Sequence, residues 1–281
     1  MPAASPDPTS LDLSRTFVPV NEALRAGRRW STWNTVERGA RGPHPRPQWV
    51  VTDDSAVDTE LGVLKTGKEA DVFLLERAAP HDPARSSLLA AKRYRSAEHR
   101  SFRRSADYTA GRRTRNTRDA RALARSTTHG RAVAAGQWAV AEWQALCTLW
   151  SADLPVPYPV QVDGTELLME YVSVDGAAAP RLAQTRPAPA LRDAWFGQLH
   201  EAMALLARRQ LAHGDLSPFN VLAAGERLVI IDWPQVVDIV SNPRGADLLM
   251  RDCTNVCNWF RARGADVHAD ELFADLIAQA W

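Results

Sequence analysis

Apolar and polar positions alternate on both sides of a glycine in ELGVLKTGKEADVFLLER (60–77), which predicts strand, turn, strand. SLLAAKRYR (87–95) reads as a third strand. Between 131 and 152 the spacing changes to that of a helix. Val133, Trp138, Trp143, Leu146, Leu149 and Trp150 share one broad face there. LPVPYPV (154–160) has prolines at alternate positions and is therefore extended. TELLMEYV (165–172) is a buried strand, and 220–232 a pair of short strands. Helices are predicted over 190–210, 244–261 and 268–281, with no internal repeat. Strands come first, then a helix and a strand, then mostly helices. That order predicts an α+β, bilobal architecture with a β-rich N-lobe and a reduced helical C-lobe.

Composition sets the boundaries. Residues 1–45 are rich in Pro, Gly, Ser and Arg and read as a loosely ordered extension with one short helix near 20–27. The N-lobe is placed at 46–172 and the C-lobe at 173–281. Within the N-lobe, 96–130 has no clean apolar stripe and reads as a loop plus helix. Net charge is only +1, yet residues 92–131 hold 13 Lys/Arg against three acids. Phe102 and Tyr108 lie among these arginines, so the segment is either a solvated loop or an arm for RNA or an acidic ribosomal partner. Of 34 basic residues only Lys65, Lys68 and Lys92 are lysine. Where Arg is so strongly favoured, those three mark places that need a compact ammonium.

Other features narrow the class. No run of 18 uncharged apolar residues exists, so no transmembrane helix is expected. The first residues have neither the basic nor the apolar region of a secretory signal. Cys147, Cys253 and Cys257 are too few and too odd for a disulfide framework and read as core, which points to the cytoplasm. Trp138, Trp143, Trp150, Trp195 and Trp259 read as core or lobe interface, while Trp30 and Trp33 stay open.

The chemistry concentrates in LAHGDLSPFNVL (211–222) and LVIIDWPQ (228–235). Asp215 and Asn220 have the spacing D-x-x-x-x-N. In kinase-type phosphoryl transfer the aspartate orients the attacking hydroxyl and the asparagine binds Mg²⁺. Asp232 ends a fully apolar strand, where a carboxylate is costly unless paired or bound to metal. Asn220 and Asp232 together offer the hard oxygens Mg²⁺ prefers. Upstream, the turn Thr66-Gly67-Lys68-Glu69-Ala70, with Val72 beyond it, would cover the phosphates of ATP. It is no Walker A loop, since Glu69 follows Gly67-Lys68. Lys92 stands where a phosphate-binding lysine belongs, with Glu142 as its helix partner. Met169, Glu170 and Val172 form the hinge that would hold adenine.

These pieces resemble the RIO family of atypical serine/threonine protein kinases. TGKEADVF (66–73), AAKRYR (90–95), AHGDLSPFNVL (212–222), IDWPQ (231–235) and RDCTNVCNWF (251–260) carry the likeness. SFRRSADYTAGRRTR (101–115) resembles that family's flexible loop. The resemblance implies that Asp215 is catalytic, that Asn220 and Asp232 bind Mg²⁺, and that Lys92 binds phosphate. It implies autophosphorylation or ATP hydrolysis rather than efficient turnover of generic peptides, because no A-P-E platform follows Asp232. Two other readings stay in play. A small-molecule phosphotransferase of the aminoglycoside or choline kinase type shares H-G-D-x-x-x-x-N and I-D-W. A nucleotide-gated RNA- or ribosome-binding module would use the basic segment.

Overall fold

A computed structural model describes residues 27–95, 128–233 and 236–281. The basic stretch 96–127, the first 26 residues and Pro234-Gln235 lie outside the described residues.

Six strands make one antiparallel sheet: β1 (Arg28–Trp30), β2 (Val57–Thr66), β3 (Ala70–Ala79), β4 (Asp82–Tyr94), β5 (Pro159–Asp163) and β6 (Glu166–Glu170). Their spatial order is β1-β2-β3-β4-β6-β5. The turn joining β2 to β3 closes with Gly67 N donating to Ala70 O at 3.0 Å. A side chain at Gly67 would put its Cβ 2.8 Å from that oxygen, so glycine is required by close approach. Along β4 the alternation expected of a strand separates two layers. Leu89 and Ala91 enter one buried cluster with Leu75 and Tyr158, while Tyr94 joins the other. Lys92 shares the side of Tyr94.

The helix α1 (Thr128–Trp150) packs on β4, β5 and β6. Ala135, Ala139, Trp143, Leu146 and Leu149 return at three- and four-residue spacing and are all buried. Each leucine so buried contributes about 2 kcal/mol. Glu142 lies within this buried helix at 1% exposure, which demands partners.

The expectation of loose order up to residue 45 does not hold for its second half. β1 pairs with β2 through Arg28↔Thr59, Arg29↔Asp58 and Trp30↔Val57. Trp33 is buried, with the Arg41 and Arg46 guanidiniums 5.4 and 5.1 Å from its ring. Below it, the buried Arg77 binds Asp58 at 2.7 and 2.9 Å and Gln161 at 2.8 Å, and Gln161 donates to Thr32. An Arg- and Pro-rich texture hid a segment ordered by stacking and charge rather than by apolar periodicity.

The second lobe begins with the short hairpin β7 (Ser173–Val174) and β8 (Ala177–Ala178), followed by α2 (Pro189–Ala207). Then come β9 (Leu211–Ala212), the hairpin β10 (Val221–Ala224) and β11 (Arg227–Ile230), and β12 (Val237–Asp238), which pairs with β9. α3 (Gly245–Arg261) and α4 (Ala269–Gln279) complete it. One core cluster runs from Trp143 of α1 to Trp195 and Leu199 of α2 and Trp259 and Phe260 of α3, with Trp138 and Trp150 packed against it. Cys253 and Cys257 are buried in α3, their thiols pushed up to about 12 and about 11, chiefly by burial. They are packing residues.

Candidate active site

The sheet supplies one wall. Strand register sets Lys65 of β2 opposite Val72 of β3, Val72 opposite Lys92 of β4, and Lys92 opposite Leu167 of β6. Directly paired residues share a face. One step along, Ala90 pairs with Met169, so Met169 stands on that same face. Thus Val72, Lys92 and Met169, chosen from sequence for the nucleotide, line one surface. The turn Thr66–Ala70 closes its end, and Arg95 N donates to Glu69 O at 2.9 Å. Lys68 and Glu69 are exposed on it. At the hinge, Glu170 accepts from Tyr158 N at 3.1 Å and from Arg227 at 2.8 Å, while Val172 is buried and its carbonyl accepts from Ala179 N.

Where the lobes meet, Lys92 Nζ lies 2.8 Å from the Glu142 carboxylate and 2.6 Å from Asp232 Oδ1. Glu142 also accepts from the Tyr94 hydroxyl, and from Trp233 N at 3.3 Å. Its two oxygens therefore face three donors, which is how a nearly inaccessible carboxylate is tolerated. Burial pulls the Lys92 ammonium down, but Glu142, Tyr94 and Asp232 outweigh it and hold Lys92 well above the ordinary lysine value. Lys92 in turn holds Asp232 below the usual carboxylate range, against its own desolvation. Asp232 has φ +71°, an uncommon conformation for a side-chain-bearing residue. Its neighbour Trp233 is buried, donates to Ile230 O at 2.9 Å and packs on His213, ring centroids 4.5 Å apart. Burial pushes the His213 imidazole down, and its ring accepts from Asp215 N at Nδ1 and meets Ile231 O at Nε2, each at 3.3 Å.

The loop after β9 carries the other half. Gly214 takes φ +80°, a left-handed turn that suits glycine. The Asp215 side chain is 68% exposed and faces solvent. What holds it is α3. Asp252, 1% exposed, accepts from Gly214 N at 2.7 Å and Leu216 N at 2.8 Å. Asn255 donates to Leu216 O at 2.9 Å. Arg251 donates to Gly214 O and comes within 3.5 Å of Asp215 Oδ1. Asn220 donates its amide N–H to Asp215 O at 3.0 Å, and its backbone carbonyl accepts from Ile231 N at 2.9 Å. Asn220 and Asp232 are thereby tied to adjoining segments. Asp252 is itself raised to about 7 by burial, with the two backbone N–H groups pulling the other way.

The RIO domain family matches residues 82–272. The RIO-type serine/threonine-protein kinase Rio1 of Haloferax volcanii is 35% identical over 226 residues, 79% of this chain and 70% of that protein. The chain belongs to the RIO family. A RIO-type protein of the same name from Methanocaldococcus jannaschii is 35% identical over 108 residues, 38% of this chain and 36% of that protein. Human serine/threonine-protein kinase RIO3 is 30% identical over 128 residues, 45% of this chain and 24% of that protein. This RIO chain is an atypical serine/threonine protein kinase with a bilobal α+β fold, and a small-molecule phosphotransferase is not favoured.

Sequence reasoning missed the residues that support this RIO site. Asp252, Arg251 and Asn255 were present in the quoted RDCTNVCNWF but had no role. The available signal was a lone carboxylate inside the apolar spacing of Leu248, Leu249, Cys253 and Val256. Tyr94, two residues past Lys92 on the same strand face, was missed as well.

Proposed function

We propose that the chain transfers the γ-phosphoryl group of ATP in a Mg²⁺-dependent reaction, either onto serine or threonine (itself included) or to water. The observation that carries this reading is the pairing of Lys92 with both Glu142 and Asp232, in a segment tied through Asn220 to the loop of an exposed Asp215. In this reading Lys92, fixed by Glu142, grips the α- and β-phosphates. Thr66, Gly67, Lys68, Glu69, Ala70 and Val72 cover the phosphates, and Met169, Glu170 and Val172 receive the adenine. Asp215 accepts a hydrogen bond from the attacking hydroxyl and aims it. Exposure suits that role, because an incoming hydroxyl must reach it.

An Asn amide and a carboxylate fit the donor chemistry of Mg²⁺, and the Asp232 side chain is 40% exposed despite its bond to Lys92. Asn220 and Asp232 would hold the ion, whose contribution is to offset charge on the phosphate oxygens. Among the described residues no helix is long and apolar enough to cross a membrane. Three free cysteines agree with a cytoplasmic setting. The basic stretch 92–131 would present the enzyme to RNA or to an acidic ribosomal partner, and RNA affinity that fails to fall steeply with salt would refute that role.

The test is incubation with γ-labelled ATP, with Mg²⁺ or with EDTA, following both label on protein and free phosphate. Wild type should yield one or both only with Mg²⁺. No turnover by wild type under any condition would overturn the reading.

A further inference from the structure

Two of the three lysines in this chain stand in one row across the sheet. Lys65 is paired with Val72, and Val72 with Lys92. Paired residues share a face, so both ammonium groups rise from the same side. With neighbouring strands near 4.8 Å apart, their backbones are roughly 10 Å from each other. Two lysine side chains converge easily over that span.

Lys92 is committed to Glu142 and Asp232. Lys65 is not: among the described residues no carboxylate comes within salt-bridge distance of it. It is placed where Asp232 attracts it and where Lys92 and Arg181 repel it. Arg181 belongs to the opposite lobe. Its guanidinium donates to Phe219 O, just before Asn220, and its backbone bridges to Leu222. Lys65 therefore stands on the sheet in the row of Lys92, and Arg181 on the loop side beside Phe219 and Asn220. Cations that outnumber the nearby carboxylates raise the local potential and attract an anion. Lys65 is also the last residue before Thr66-Gly67, where the chain turns over the cleft. In a chain that otherwise uses arginine, its position keeps the compact ammonium suited to a crowded phosphate.

We infer that Lys65 is a second phosphate-binding residue, which engages the terminal phosphates of the nucleotide across from Arg181 and so makes the site discriminate triphosphate from monophosphate. This rests on the phosphotransfer reading above. It adds a residue, a ligand atom class and a specificity to it.

The test is nucleotide affinity, measured by titration with ATP, ADP and AMP in Mg²⁺, for wild type, Lys65→Met, Lys65→Arg and Lys92→Met. A charge-assisted contact of this kind changes affinity by about tenfold or more. Lys65→Met should weaken ATP by about that factor, ADP by less, and AMP not at all, so the ATP-to-AMP preference falls. Lys65→Arg should restore part of the preference by restoring charge. Lys65 is exposed, so thermal unfolding should be unchanged in both variants. An unchanged ATP-to-AMP preference in Lys65→Met, with Lys92→Met still weakening ATP, overturns this inference and leaves the site intact. A wild type that binds no ATP overturns the phosphotransfer reading and this inference with it.

Discussion

The two walls of the cleft hold their functional groups by opposite means. On the sheet side charge meets charge: Lys92, 12% exposed, is shared by the buried Glu142 and by Asp232, which opens to the cleft. On the loop side the Asp215 carboxylate is open to solvent, and its place is set through backbone atoms by Asp252, Asn255 and Arg251. The first arrangement makes the functional groups structural, since removing one leaves another buried and unpaired. The second separates function from scaffold. Asp215 itself contributes little to holding the fold, while Asp252 contributes a great deal without touching the cleft.

The largest expected effect is on the sheet side. Lys92→Met leaves Glu142 without its cation and should cost roughly 3–5 kcal/mol of stability, read as a lower denaturation midpoint. Adding Glu142→Gln should recover part of that loss, because the orphaned charge is gone. If the double variant is as unstable as the two single losses summed, the pairing is not what holds this wall.

On the loop side, Asp252→Ala strips the acceptor from two backbone N–H groups and should cost roughly 2–4 kcal/mol. Turnover should fall as well, although Asp215 is untouched. Full activity in a stably folded Asp252→Ala would show that the loop keeps its shape without α3.

A smaller effect separates the walls by pH. Folding raises Asp252 to about 7, so between the ordinary carboxylate range and that value the folded state keeps a proton the unfolded chain has released. Stability from this group is therefore fullest at low pH and declines as the pH climbs to about 7. Asn cannot titrate. Relative to wild type, Asp252→Asn should gain on the order of 2 kcal/mol between pH 5 and pH 7.5. A constant difference across that range would place the Asp252 proton wrongly.

Much of this was legible in the sequence because it obeys local rules. Period-two and helical spacing marked β2 to β4, α1 and the later helices. The motif positions Lys92, Glu142 and Asp232 are brought together by the fold. What stayed hidden is non-local or against type. β1 and Trp33 are ordered by arginine stacking and the Arg77–Asp58–Gln161 network, which leave no periodic trace. β9 and β12 are two residues each, too short to carry a pattern. Asp252 works through a loop 36 and 38 residues away in sequence, so spacing alone gave it no partner.

The division between the walls is tested most directly by measuring ATP affinity and turnover together in Asp215→Ala. Binding and thermal stability should match wild type, while turnover falls by about 10²–10⁴. Wild-type turnover in that variant would contradict the account, and so would turnover lost only in step with ATP binding.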